Sequence, residues 1–396
     1  MEILLLSDLH AVPEDDLNER DSSRLLLDSD IKGEYADSLI SYVRSQNKKI
    51  DYIVCCGDIA NKGCGESFKL GWKFLQRLKD ELPGSKLLTV PGNHDHQSRA
   101  SASEGFSPKH QLQFCEPTFP FDCYEKNTHF WAWNWAMVQE DEYANFLLLN
   151  TSAFHGFNDE YKHGRVSTQS VEQISSYIKS SSFEAKSLNV LICHHHPQPM
   201  EHAYNDYDGE QMSGGQSLIN ALQEADIGPW LVLHGHKHFA CISNASSQDQ
   251  SPAVVFSAGS ASAKIYKEIE NKTSNQIYFL SIDKNKTVEQ EKVIGRFNTH
   301  EYKVGSGWRI SKSENLPGKS GLGSRTSAAL ILKSIQELLD GTPFLDENDL
   351  EHINEELSFF TPREFERFLK RLTHADLSSE IDKSSQKVIE VGLKHE

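Results

Sequence analysis

The chain has 396 residues, a formal net charge of −17, and 38% hydrophobic and 24% charged residues, the make-up of a folded protein with enough apolar material for a sizeable core. Its apolar runs, such as Ile3 to Leu6 and Phe146 to Leu149, fall far short of the roughly 20 residues a membrane helix needs. The acidic balance opposes general affinity for nucleic-acid backbones, which clustered Lys and Arg provide. Seven cysteines without a CxxC pair argue against a disulfide framework or a thiolate zinc site and for a reducing, cytoplasmic setting. The N-terminus has no basic flank and a four-residue apolar run, so a strand is expected there rather than a signal peptide.

In chain order, strands are expected at Glu2–Leu6, Tyr52–Cys56, Leu87–Val90, Phe146–Asn150, Val190–Cys193, Leu231–Leu233, Val254–Ser257 and Ile277–Ile282. Most are continuous apolar runs, the pattern of strands buried on both faces. Helices fit between them at Gly33–Arg44, Glu66–Glu81 and Thr168–Lys179, the last placing Val171, Ile174 and Ile178 on one side. Residues 11–30 read as an acidic surface loop, and residues 98–130 as an irregular excursion. Trp131, Trp133 and Trp135 alternate as one face of a strand. Residues 1–285 therefore form the main α/β domain, and the Gly-, Ser- and Lys-rich residues 286–325 read as a connector. Residues 326–396 read as a helical appendage with a polar, frayed tail from Ser378. Within it, Thr361-Pro362-Arg363-Glu364 is a capping box, followed by the stripe Phe365, Phe368, Leu369 and Leu372.

Five clusters of metal-capable residues each follow an apolar strand directly. They are Asp8-Leu9-His10, Gly57-Asp58, Gly92-Asn93-His94-Asp95, His194-His195-His196-Pro197 and His234-Gly235-His236-Lys237-His238. Taken singly, a DxH is commonly a capped turn and a Gly-Asp pair an ordinary turn. Taken together, they place every donor at the carboxyl ends of neighbouring strands, where open α/β sheets form their ligand crevice. Carboxylate, amide and imidazole donors without thiolate suit Mn first, with Fe, Zn or Ni as alternatives, and disfavour a structural zinc site. The loop histidines His96, His155, His163 and His202 read as substrate contacts at most, and His234 as a packing residue.

DxH, GD, GNHD, HxP and GHxH in this order resemble the motifs of the calcineurin-like metallophosphoesterases, across about residues 1–285. The resemblance implies a four-layer αββα sandwich and two divalent metal ions. Asp8, His10 and His238 would hold one ion, and Asn93, His195 and His236 the other, with Asp58 shared between them. His194 is a rival to His195 within the HHHP run. His94 would stand beside the substrate phosphate, stabilising or protonating the leaving group, with Asp95 orienting it, while a hydroxide between the metals attacks phosphorus. The implied function is hydrolysis of a small or nucleotide-like phosphate ester. The alternatives are a metal-dependent DNA or RNA nuclease working with a partner, and a non-catalytic module that retains its metals. No membrane is expected as partner, and the C-terminal helices offer a surface for another protein or a second copy.

Overall fold

In the computed structural model, which describes residues 1–97, 107–156, 163–201, 207–208, 210–245, 252–313 and 315–394, the apolar runs assemble into two large sheets. The first runs Gly307–Ile310, Gly295–Lys303, Asn275–Ile282, Glu2–Leu6, Tyr52–Cys55, Lys86–Thr89, with Lys319–Gly321 also pairing against Gly295–Lys303. The second runs Cys241–Asn244, Val254–Ser257, Trp230–His234, Leu188–Ile192, Ala144–Leu149, Trp135–Val138. The central strands of each are parallel and buried on both sides, which explains their unbroken apolar sequences.

Alternation along the strands builds four layers. Phe146, Leu148, Val190, Ile192, Leu231 and Leu233 share one core with the first sheet and with helices Glu34–Ser45 and Gly65–Asp80. Their sequence neighbours Leu147, Leu149, Leu191 and Val232 instead pack against Val171, Ile174 and Ile178 of helix Thr168–Ile178 and Leu218, Ile219 and Leu222 of helix Gly215–Glu224. Two faces per strand and a helical layer on each outer face make the αββα arrangement expected.

Three expectations are corrected. Residues 286–325 are no bare connector, since three strands within them extend the first sheet. Their composition hides this because several of the buried positions, Thr299, His300 and Glu301 among them, are polar. Residues after Ser378 are no frayed tail. Leu377–Asp382 and Lys387–Leu393 form a hairpin with Phe344–Leu345 alongside, so the appendage is mixed, with helices packed against a three-stranded sheet. The tryptophans do not share a strand either. Trp131 and Trp133 lie in helix Tyr124–Trp133, Asn134 turns through a left-handed conformation (φ 63°), and only Trp135 begins a strand. Asn is among the few side chains that tolerate that turn. The same excursion contains helix Tyr124–Trp133, while residues 98–106 lie outside the described residues.

The appendage carries its own core of Ile331, Ile335, Leu357, Phe365, Phe368, Leu372, Val388 and Val391. It also docks on the main sandwich. Gly321 N and Gly323 N donate to the carbonyls of Phe360 (2.9 Å) and Phe359 (2.8 Å), and the Arg296 guanidinium lies 3.9 Å from the Phe359 ring centre. A Cβ on Gly321 would overlap the Phe359 main chain, so glycine lets the two backbones meet.

Candidate metal centre

Register brings the five clusters together. Leu6, Cys55 and Thr89 lie abreast in the first sheet, and Leu148, Ile192 and Leu233 in the second, so the residues that follow leave from common edges. The two edges are stitched across the sandwich by His194 Nδ1 donating to the Cys56 carbonyl at 2.8 Å and by His236 N donating to Asp8 Oδ2 at 3.1 Å. Gly235 permits this approach, because a Cβ there would collide with Ser7 Oγ and Asp8 Oδ2.

The turns are sharp. Asp8 (φ 52°), His10 (46°), Asp58 (52°), His236 (81°) and His238 (54°) all adopt positive φ, which costs a residue with a Cβ roughly 1–3 kcal/mol and persists where surrounding structure over-determines it. Here the surroundings are main-chain bonds between loops: Asp8 N to Gly57 O at 3.0 Å and His10 N to Asp58 O at 2.9 Å.

The side chains converge on Asp58. Its Oδ2 lies 3.5 Å from His10 Nε2 and 3.3 Å from His194 Nε2, while Oδ1 accepts the His94 main-chain N–H at 2.7 Å. On one side Asp8, His10 and His238 present donor atoms within 4.8 Å of one another, with His238 Nε2 at 3.3 Å from Asp8 Oδ1. On the other, Asn93 Oδ1 lies 3.1 Å from both His194 Nε2 and His236 Nδ1. Of the two rivals in the HHHP run, His194 is the one whose Nε2 lies close to both Asn93 Oδ1, at 3.1 Å, and Asp58 Oδ2, at 3.3 Å. His195 turns Nδ1 to Thr151 Oγ1 at 2.9 Å and stacks on His155, although its other nitrogen still falls near those of His194 and His236.

Protonation suits metal binding. Burial alone would raise both carboxyls, but His238 beside Asp8 and His194 and His94 beside Asp58 outweigh it and hold both below the usual carboxylate range. Burial, reinforced by neighbouring imidazoles, lowers His10 to about 3 and holds His236 well below its usual value, which leaves neutral rings with lone pairs to share. His194 differs. Burial lowers it, but the Asp58 charge prevails and lifts it to about 9. The carboxylate thus holds a proton where a divalent cation would compete for the same place. Buried His10 Nε2 has no hydrogen-bond partner among the described residues, and a buried orphan nitrogen beside a carboxylate is what a ligand set awaiting an ion looks like. The donor set fits a pair of divalent cations.

His94 is more exposed than its neighbours, at the mouth. Its ring centre is 4.6 Å from that of His10, and its Nδ1 faces Lys62 N at 3.3 Å. Asp95 was expected to orient it, but Asp95 gives its oxygens to the main chain. Oδ1 accepts Ala60 N at 2.6 Å and Oδ2 accepts Gly92 N at 2.7 Å, tying together the loops that carry Asp58 and Asn93. Burial, together with the Asp58 charge, lifts Asp95 to about 7. Asp95→Ala leaves two buried amides unpaired. It should lower unfolding stability by about 1–3 kcal/mol per amide in denaturant titration, and unchanged stability would contradict this role.

Sequence reasoning treated His96 and His155 as loop histidines, yet both are buried beside the centre, and His202 lies outside the described residues. It missed Tyr266 altogether, whose ring stacks on His238 at 5.2 Å. No periodicity could have revealed a contact across 28 residues of chain between a loop and a strand end. Among the described residues no helix is long and apolar enough to cross a membrane.

The model of the calcineurin-like phosphoesterase family matches residues 1–240. Among solved structures, the chain is similar to the purple acid phosphatase PPD1 from yellow lupin (Lupinus luteus) seeds, with 12% identity over 76% of this chain and 51% of that one and a TM-score of 0.47. It is similar to PhoD, with 10% identity, coverage of 66% and 56%, and a TM-score of 0.42. It is also similar to the NAD nucleotidase NadN of Haemophilus influenzae, with 10% identity, coverage of 79% and 55%, and a TM-score of 0.34. The chain spans little more than half the length of these proteins. No curated protein matches it significantly.

Proposed function

Because the chain belongs to the calcineurin-like phosphoesterase family, we propose that it hydrolyses a small or nucleotide-like phosphate ester with a pair of divalent cations. Asp8, His10 and His238 hold one ion, and Asn93, His194 and His236 hold the other. Asp58 is shared. The observation that carries this reading is the position of one atom, Asp58 Oδ2, between His10 Nε2 of the first set and His194 Nε2 of the second. Two cations close together repel strongly, and a common carboxylate between two ligand sets is what holds them. Manganese is the first metal to try for such an oxygen- and imidazole-rich set.

Bound there, the cations would polarise the phosphoryl oxygens and bring the pKa of water from 15.7 toward about 7. The protein's own groups do the rest. Asp8 and Asp58, both ionised, supply the negative charge the ions need. The Lys62 N–H at His94 Nδ1 favours the ring form with its proton on Nε2. His94 thereby offers a proton donor at the mouth for the departing ester oxygen. The surrounding burial keeps bulk water from screening these charges.

The mouth favours a small ester over a nucleic acid. Lys62 Nζ lies 2.8 Å from Glu19 and Lys237 Nζ 3.2 Å from Glu210, so these two cations meet carboxylates rather than lining a basic path. The test is a screen of Mn-loaded protein on aryl mono- and diesters, nucleotides and single- and double-stranded nucleic acid. Turnover of the small esters above that of nucleic acid is the expected result. Silence on every substrate by protein carrying two equivalents of metal would move the reading to the non-catalytic alternative.

A further inference from the structure

We propose that Tyr266 is a stacking platform for the planar base of a nucleoside phosphate whose phosphate lies on the metal centre, an inference that rests on the phosphoesterase reading and names its substrate class. The observation is a juxtaposition. Tyr266 is 54% exposed, yet its ring lies nearly parallel to the ligand histidine His238, 12° between planes and 5.2 Å between centres. Beside it is a hollow of about 340 Å³ lined by His236, Lys237, Tyr266, Glu268 and Ile269. His236 therefore belongs both to the wall of this hollow and to the Asn93 side of the centre.

A single exposed aromatic ring is ordinary, but this one stands on a ligand histidine and lines a hollow. This ring is not a loose ornament of a mobile loop. The Ile269 N–H donates to the Tyr266 carbonyl at 3.0 Å, and Ile269 is buried against Phe239, immediately after the ligand His238. Just before it, Lys264 N donates to Ser22 O at 2.8 Å, and Ala263 pairs with Ser23. The ring is thus set against the ligand His238 while remaining half exposed, and it lines the hollow. The hollow's size is at the lower end of small-molecule sites, roughly 300–1,000 Å³, and suits one ring system better than an extended chain.

The polar lining selects among flat groups. Lys237 and Glu268 place a donor and a carboxylate acceptor on the wall beside the aromatic face. A nucleobase has a hydrogen-bonding edge to use them, and a plain aryl ring does not. Base stacking on an aromatic side chain is sequence-tolerant, so the platform selects for a base without choosing strongly which one.

The experiment measures binding, by calorimetry, of the non-hydrolysable phosphonate analogues of adenosine monophosphate and ribose 5-phosphate, named below by their parents, and of inorganic phosphate, to the Mn-loaded full chain and to its Tyr266→Ala and Tyr266→Trp variants. Adenosine monophosphate should bind the unaltered protein about 5- to 150-fold more tightly than ribose 5-phosphate, the range of one stacked base. That ratio should fall toward one in Tyr266→Ala and persist in Tyr266→Trp, which keeps an aromatic face. Equal affinities in the unaltered protein, or a ratio that Tyr266→Ala leaves intact, would overturn the proposal while inorganic phosphate still binds. Loss of the ratio in Tyr266→Trp as well would overturn it too, by making the tyrosine structural. If Mn-loaded protein binds none of the three, the phosphoesterase reading fails and takes this one with it.

Discussion

An Asp58→Ala variant loses at least one bound cation, and its turnover falls by about 10³ or more. The carboxylate is fully buried between two ligand sets, and its second oxygen fixes the GNHD loop through the His94 main chain. Without its charge, the ions meet each other's repulsion unshielded. Lewis-acid stabilisation is worth several kcal/mol, and each 1.36 kcal/mol is a decade in rate. Asp58→Asn separates charge from shape, since an amide oxygen can still accept the His94 N–H. Metal content by plasma mass spectrometry, read beside turnover, decides the matter. Two equivalents with undiminished turnover in metal-replete Asp58→Ala would remove the bridging role. The same measurement separates the neighbouring histidines: His194→Ala should shed an ion that His195→Ala retains.

His94→Ala should keep both ions and lose about 10²–10⁴ in turnover, the usual size of a general-acid contribution. His94 stands at the mouth, its ring packed against the His10 ring with its Nδ1 facing a main-chain N–H. The loss should depend on the leaving group. An alkyl ester, whose oxygen leaves poorly without a proton, should suffer most, and a nitrophenyl ester least. A uniform loss across esters would assign His94 to binding the phosphate instead, and no loss at all would take it out of the reaction.

The centre was legible because its donors are local to strand ends. Asp8, Asp58, Asn93 and His236 each follow a run of buried apolar residues within three positions, so sequence order predicts where they emerge. The choice between His194 and His195 is not legible in the sequence, because it depends on how the bend after Ile192 turns the two rings toward Asn93. Asp95 looked like a partner for His94 because it follows it directly, whereas its real partners, Ala60 N and Gly92 N, come from the loops around it. Tyr266 and His155 reach the centre by tertiary packing alone. The C-terminal strands failed for a different reason. Lys387–Leu393 lies in the middle of its small sheet but buries only Val388 and Val391, and its exposed residues include Lys and Glu, so solvent-facing chemistry dominates what the sequence displays.

The seam where Gly321 and Gly323 meet Phe359 and Phe360 has a bearing on how the molecule can be cut. Those glycine amides find their acceptors in the appendage, and the Phe359 ring sits under Arg296 and Lys286. A fragment ending near residue 325 would strip the border of the first sheet of its neighbour and lay bare main-chain donors that invite pairing with other molecules. The family match ends at residue 240, yet the strands that complete the first sheet and the amides that meet the appendage lie beyond that limit.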